Sequence, residues 1–198
     1  MKIKSAVMLA ATIAISTASF AQTKTDTGLS YNQVGLGYVS MTTTSSGKDY
    51  TFSGLGLGGS VLAGKNLLLS ASTISVNGDV SGTKVTVSET DIGVGVRAGI
   101  AAQTDVYGKI YYIDGKGDAT GFTYTDTGYG VTVGVKTLIA PSVTGNVFAG
   151  QSKMSKSDSS SSFGFGLDYN LSPAMIVGGS YVSGKDTRQF AVTLSYAF

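Results

Sequence analysis

"SGLGLGGSVLAGKN", Ser53 to Asn66, carries Gly54, Gly56 and Gly59 at G-x-G-x-x-G spacing, then Gly59, Gly64 and Lys65 in nearly the spacing of a phosphate-binding P-loop. Both motifs require a glycine turn leading from a buried strand into a helix, whose N-terminal N–H groups receive the phosphates. No helical pattern follows. The chain continues "NLLLSASTISVNG", a β-branched, alternating run ending in a turn signal, and Asn66 stands where the P-loop needs Ser or Thr for magnesium. Leu55, Leu57 and Val61 share one face of an extended strand and Gly54, Gly56 and Gly58 the other, so the stretch reads as a strand followed by a short turn.

The same period of two runs through the rest of the chain from Leu29 and never becomes helical. "DIGVGVRAGI" places Ile92, Val94, Val96, Ala98 and Ile100 together, and "GYGVTVGVKT" does so for Tyr129, Val131, Val133 and Val135. "FGFGLDY" aligns Phe163, Phe165, Leu167 and Tyr169, and "YNQVGLGYVSM" aligns Val34, Leu36 and Tyr38. Ten strands are expected, joined by short turns near Leu62 to Asn66, Ala101 to Thr104, Ile139 to Ser142 and Asn170 to Ala174. Longer polar loops are expected near Thr42 to Asp49, Asn77 to Thr83, Gly115 to Asp126, Lys153 to Ser161 and Gly184 to Arg188. An even strand number with short turns at one end and longer loops at the other is the pattern of a transmembrane antiparallel up-and-down β-barrel, an all-β fold.

Composition agrees. Charged residues are 13% of the chain, against about 25% in ordinary soluble domains. The polar faces of the best strands hold mainly Gly, Ser and Thr, such as Gly93, Gly95, Gly130, Thr132, Gly164, Gly166, Thr193 and Ser195. Small side chains suit a confined interior, whereas a soluble barrel needs a charged outer face. Tyr129, Phe163, Tyr169, Phe190, Tyr196 and Phe198 fall toward strand ends on the aliphatic face, as interfacial girdles do.

"MKIKSAVMLAATIAISTASFAQ" has Lys2 and Lys4, an apolar stretch from Ala6 to Ile15, and small residues at Ser19 and Ala21. It reads as a secretory signal peptide, residues 1–21, cleaved to leave one barrel domain over residues 22–198. Its removal takes away two lysines and no acid, leaving twelve bases against twelve acids. The basic character belongs to the leader and gives no support to nucleic-acid binding. The absence of cysteine excludes disulfides and thiolate metal sites.

These features resemble the small outer-membrane β-barrel proteins of Gram-negative bacteria, the porin-like group that includes OmpX and the transmembrane domain of OmpA. The resemblance rests on the leader, on "LSYNQVGLGYV", on "LGLGGSVLAGKNLLLSAS" and on the terminal "QFAVTLSYAF". It implies an outer-membrane location reached through the periplasm, and contact with outer-membrane lipid and lipopolysaccharide. In "QFAVTLSYAF" it implies a signal for the barrel-insertion machinery, carried by Phe190, Val192, Leu194, Tyr196 and Phe198. The strand number departs from the eight of OmpX-like members.

Barrel enzymes of this membrane depend on a histidine acting as general base, and this chain contains none. No enzyme activity, catalytic residue, metal or cofactor is expected. "DGKGD", Asp114 to Asp118, lacks the glycine and glutamate positions of an EF-hand and reads as a solvated loop. "KMSKSDSSSS", Lys153 to Ser162, reads as a mobile exposed loop, and an external ligand would meet the protein through such loops. Parity points six charges into the lumen: Glu89, Asp91, Arg97, Lys109, Lys136 and Asp168. Arg97, Lys109 and Lys136 are expected at one depth, forming a cationic patch toward the short-turn end. The patch either belongs to a salt-bridged plug with Asp168 and Asp91, which makes a structural or surface-recognition barrel, or it walls a narrow passive channel for ions or small solutes.

Overall fold

The computed structural model describes residues 27–198; the leader segment falls outside the described residues. Ten antiparallel strands form one closed barrel. They are β1 (Gln33–Ser45), β2 (Lys48–Ala63), β3 (Leu67–Val80), β4 (Thr83–Ala101), β5 (Thr104–Ala119), β6 (Phe122–Ala140), β7 (Val143–Met154), β8 (Ser159–Ser172), β9 (Met175–Gly184) and β10 (Thr187–Ala197). Each strand pairs with its sequence neighbours, and β1 closes the ring on β10 from Gln33↔Ala197 to Thr43↔Thr187. The closure places both ends of the described chain at the short-turn rim and leaves no strand edge unpaired.

The expected long loops are almost entirely strand. Thr42 to Asp49 contains only a two-residue turn, Ser46 (φ 53°) and Gly47 (φ 73°), and Asn77 to Thr83 only Ser81 (φ 55°) and Gly82 (φ 84°). Positive φ at both central residues is the hairpin geometry whose twist matches that of the flanking strands. Gly115 to Asp126 narrows to a turn at Thr120 and Gly121, Gly184 to Arg188 to one at Lys185 and Asp186, and Lys153 to Ser161 to residues 155–158. Threonine is a good strand former, so a polar composition was no bar to pairing. The result is tall: at about 3.4 Å per residue and a tilt near 40°, strands of 19 residues such as β4 and β6 reach roughly 50 Å, about twice the apolar band of such a barrel.

Along each strand the outward face changes character once. In β4, Ile100, Val96, Val94 and Ile92 lie on the outer surface nearer the short-turn rim, followed by Thr90, Ser88, Thr86 and Lys84. Aromatic rings mark the transition: Tyr38, Tyr112, Tyr129, Phe163, Tyr181 and Phe190 all point outward, with Tyr112 paired to Tyr129 and Phe190 to Tyr181. Tyr169, Tyr196 and Phe198 lie on the outer surface near the short-turn rim. These two aromatic belts bound the lipid-facing band. The strands continue beyond the upper belt as an extension whose outer face is hydroxylic and charged.

Candidate functional site

The lumen holds the buried charges, and its filling changes with height. Beyond the upper aromatic belt the interior is mainly apolar, with Thr43, Glu89 and Gln189 buried among the aliphatic side chains. Val39 and Met41 from β1, Phe52 from β2, Ile74 and Val76 from β3, Val85 and Val87 from β4, Phe148 from β7, Val182 from β9 and Ala191 from β10 form a single buried cluster. Because these strands stand on opposite walls, their side chains meet across the axis. Met41, Phe52, Val76 and Val87 retain 0% exposure. The extension is thus built as a soluble barrel is, polar outside and packed inside, while the membrane-embedded part is the reverse. Within the lipid band the inward positions are largely glycine and small polar residues. Several glycines are required by large neighbours: a Cβ at Gly130 would fall on the Tyr111 ring and one at Gly134 on the Tyr107 ring, within 2.6 Å.

All six charges expected in the lumen do point inward, and Glu89, Asp91, Arg97 and Lys136 are almost wholly buried. The three cations do not share one ladder row. Lys109 lies opposite Gly95, Arg97 opposite Tyr107, and Lys136 opposite Asp105, so they step two residues at a time toward the short-turn rim. Each also has its own compensation. Arg97 Nη2 donates to Asp105 Oδ1 at 2.9 Å in a salt bridge with both side chains buried. Lys136 Nζ donates to the Ser30 carbonyl at 3.0 Å, lies 4.9 Å above the Tyr31 ring, and is close enough to Asp168 to feel its charge. Lys109 lies 5.4 Å from the centre of the Tyr111 ring and interacts with Asp91, which also takes a hydrogen bond from Ser72. Glu89 differs: neither of its buried carboxyl oxygens has a hydrogen-bond partner among the described residues.

Asp105 escaped the sequence reading although its parity matches that of Lys109, because it lies one residue beyond a predicted turn. It is the hub of the short-turn mouth. Besides Arg97, it accepts hydrogen bonds from Thr27 Oγ1 and Tyr31 Oη, each at 2.7 Å. These residues precede β1, so the chain before the first strand folds into the barrel mouth. Leu29 and Tyr31 pack there with Leu68, and Leu62 and Leu138 line the same cluster. Arg97 also ties down the β2–β3 turn through the Lys65 carbonyl (3.3 Å) and its own backbone bond to Asn66 (2.9 Å).

The two polar motifs outside the lumen are more ordered than their composition implied. Asp114, Lys116 and Asp118 occupy the outer face of β5, with Gly115 and Gly117 turned inward. Hydrogen bonds from Lys116 and Thr123 hold the exposed Asp118 carboxyl below its usual range. In "KMSKSDSSSS" the ends belong to β7 and β8, and the connection is fastened to β6: Ser155 N donates to the Thr127 carbonyl at 2.8 Å and Lys156 N to Asp126 Oδ2 at 3.2 Å. Phe190, Val192, Leu194, Tyr196 and Phe198 all lie on the outer surface.

No protein-family model and no curated protein matches the chain. Solved structures do match in shape. The β-domain of the Bordetella autotransporter BrkA aligns with a TM-score of 0.53 at 12% identity, covering 84% of this chain and 99% of that one. The KdgM porin, solved with disordered oligogalacturonate, aligns at 0.50 and 10% identity, over 83% and 99% of the two chains. An outer membrane channel from Pseudomonas putida F1 aligns at 0.50 and 9%, over 83% and 94%. Identities this low speak for architecture alone: this chain has the fold of the outer-membrane β-barrel proteins.

Proposed function

We propose that this chain is a non-enzymatic outer-membrane barrel with a closed lumen, which stands beyond the membrane as a rigid stem and serves a structural or surface-recognition role. One observation carries the reading: the apolar cluster around Met41, Phe52, Val76 and Val87 occupies the lumen of the extension. An ion path through that level would expose those side chains to water, at a cost of about 25 cal/mol for each Å² of apolar surface wetted. At the other end, residues 27–31 and the Arg97–Asp105 pair occupy the mouth. The extension offers an external ligand its outer face, where Thr42 bonds Thr51, Thr86 bonds Asn77 and Thr90 bonds Thr73 across strand pairs. Insertion through the barrel-assembly machinery, read from the terminal strand, fits the same role.

Single-channel recording in planar bilayers tests the reading, and a silent trace is expected. Discrete openings would restore the narrow passive channel, supported by the glycine-lined middle of the lumen. In that case Lys109 and Lys136 give anion preference, and replacing both with Glu moves the reversal potential toward cations.

A further inference from the structure

The lipid-facing surface carries a groove of about 430 Å³ across β3 to β6, centred on Gly108. Leu67, Val96, Gly108 and Val133 are successive partners in one ladder row, and Gly108 interrupts the row of side chains. Val94 and Ile110 form the wall toward the aromatic belt. Crowding does not require this glycine. A Cβ built on Gly108 meets no heavy atom closer than 3.9 Å, whereas at its inward neighbour Gly95 a Cβ would come within 2.4 Å of the Gly108 carbonyl oxygen. The position tolerates a side chain and is left empty, in the hydrocarbon layer, between aliphatic walls.

The foot of the groove has a charge. Leu67 follows directly on the β2–β3 turn, whose Lys65 is the only exposed charged side chain among the described residues of the short-turn rim. The backbone of that turn is held from inside the barrel by Arg97. Gly108 lies two strand spacings, about 10 Å, from Leu67 along the ladder. A cation at the membrane surface with an aliphatic groove rising beside it matches a phospholipid: phosphate outside, chain within. Short turns of such barrels face the periplasm, so the lipid belongs to the inner leaflet of the outer membrane.

We propose that the Gly108 groove holds one acyl chain of an anionic phospholipid, with Lys65 on its phosphate. A second copy of this chain fits less well, because the two polar residues bordering the groove, Lys109 and Thr132, turn their side chains into the lumen and leave no outward hydrogen-bonding group of the kind that holds proteins together in lipid.

The test is native mass spectrometry of the folded barrel, released in mild detergent from nanodiscs of equimolar phosphatidylglycerol and phosphatidylcholine. The wild type should retain one phospholipid, enriched in phosphatidylglycerol. Gly108→Leu fills the groove and should lower that occupancy about tenfold, a loss of roughly 1.4 kcal/mol in binding, with heat-modifiable migration unchanged. Lys65→Gln should keep a bound lipid and lose the preference for phosphatidylglycerol. Should Gly108→Leu fail to fold, Val133→Phe narrows the groove from its far wall and serves in its place. Equal lipid retention in the wild type and the filled variants overturns the proposal, as does a wild-type protein dimer that the same substitutions abolish.

Discussion

Truncating Phe52 to alanine asks directly whether the lumen of the extension is a dry core. The ring is completely buried, and it lies against Gly78, where any Cβ would come within 2.7 Å of it. A glycine wall has no side chain to swing into the vacated space, so relaxation is poor and the cost should fall well inside the range of about 3–5 kcal/mol seen for Phe→Ala in cores. Area bookkeeping agrees: about 150 Å² of ring surface at ~25 cal/mol per Å² is close to 4 kcal/mol. The measurement is equilibrium urea unfolding of the barrel refolded into phospholipid vesicles, followed by tyrosine fluorescence, since the chain has no tryptophan. Leu36→Ala is the control. Leu36 points into lipid at 59% exposure, and acyl chains fill the space it leaves, so its loss should be clearly smaller. If Phe52→Ala lies within about 0.5 kcal/mol of wild type, as surface changes do, water occupies this level of the lumen and the closed-barrel reading fails.

Three further outcomes follow from the same geometry. Asp105→Ala takes the carboxylate away from the buried Arg97 and should cost about 3–5 kcal/mol in the same unfolding assay, while Asp105→Asn, whose single amide oxygen can still accept from Arg97 and Thr27 but not from Tyr31, should cost less. Deleting Phe198 should reduce heat-modifiable barrel in the outer membrane and leave leader-cleaved chain in the periplasm; undiminished barrel would dissociate the last residue from assembly. An epitope inserted between Ser157 and Asp158 should stain on intact cells, and staining only after permeabilisation would invert the topology.

Strand number, connectivity and the position of the short turns were legible because period-two alternation is a local signal and hairpin connections leave no topological choice. The inward direction of Glu89, Asp91, Arg97, Lys109, Lys136 and Asp168 followed from the same parity. Some of their partners did not: Asp105 lies just past a predicted turn, and Ser30 and Tyr31 come from before the first strand. Tyr31 reaches Asp105 over 74 residues of sequence, and Lys136 reaches Ser30 over 106. Nothing in "TGLSY" marks it as the stopper of a barrel mouth until the barrel exists. Arg97 and Lys109 seemed opposite each other when counted from the turn. A register shift between Gly99 and Ala101 offsets that count.

The mistaken loops have a more general cause. In "KVTVSETDIGVGV" the apolar residues are odd-numbered at Val85 and Val87 and even-numbered at Ile92, Val94 and Val96. A phase change of one residue ordinarily means a bulge or a break, since a one-residue slip turns every side chain to the other face. Here the ladder between β3 and β4 runs from Leu67↔Val96 to Val80↔Thr83 without a shift, so the chain keeps its phase and the surroundings change. Below the aromatic belt the outside is hydrocarbon and apolar side chains face it; above the belt the outside is water, and the same burial rule drives them into the lumen. "GYVSM" shows the crossing in one step, with Tyr38 outward and Val39 and Met41 inward. A membrane barrel whose strands outrun the bilayer must reverse its pattern there or expose an apolar wall to water, and the reversal packs its lumen.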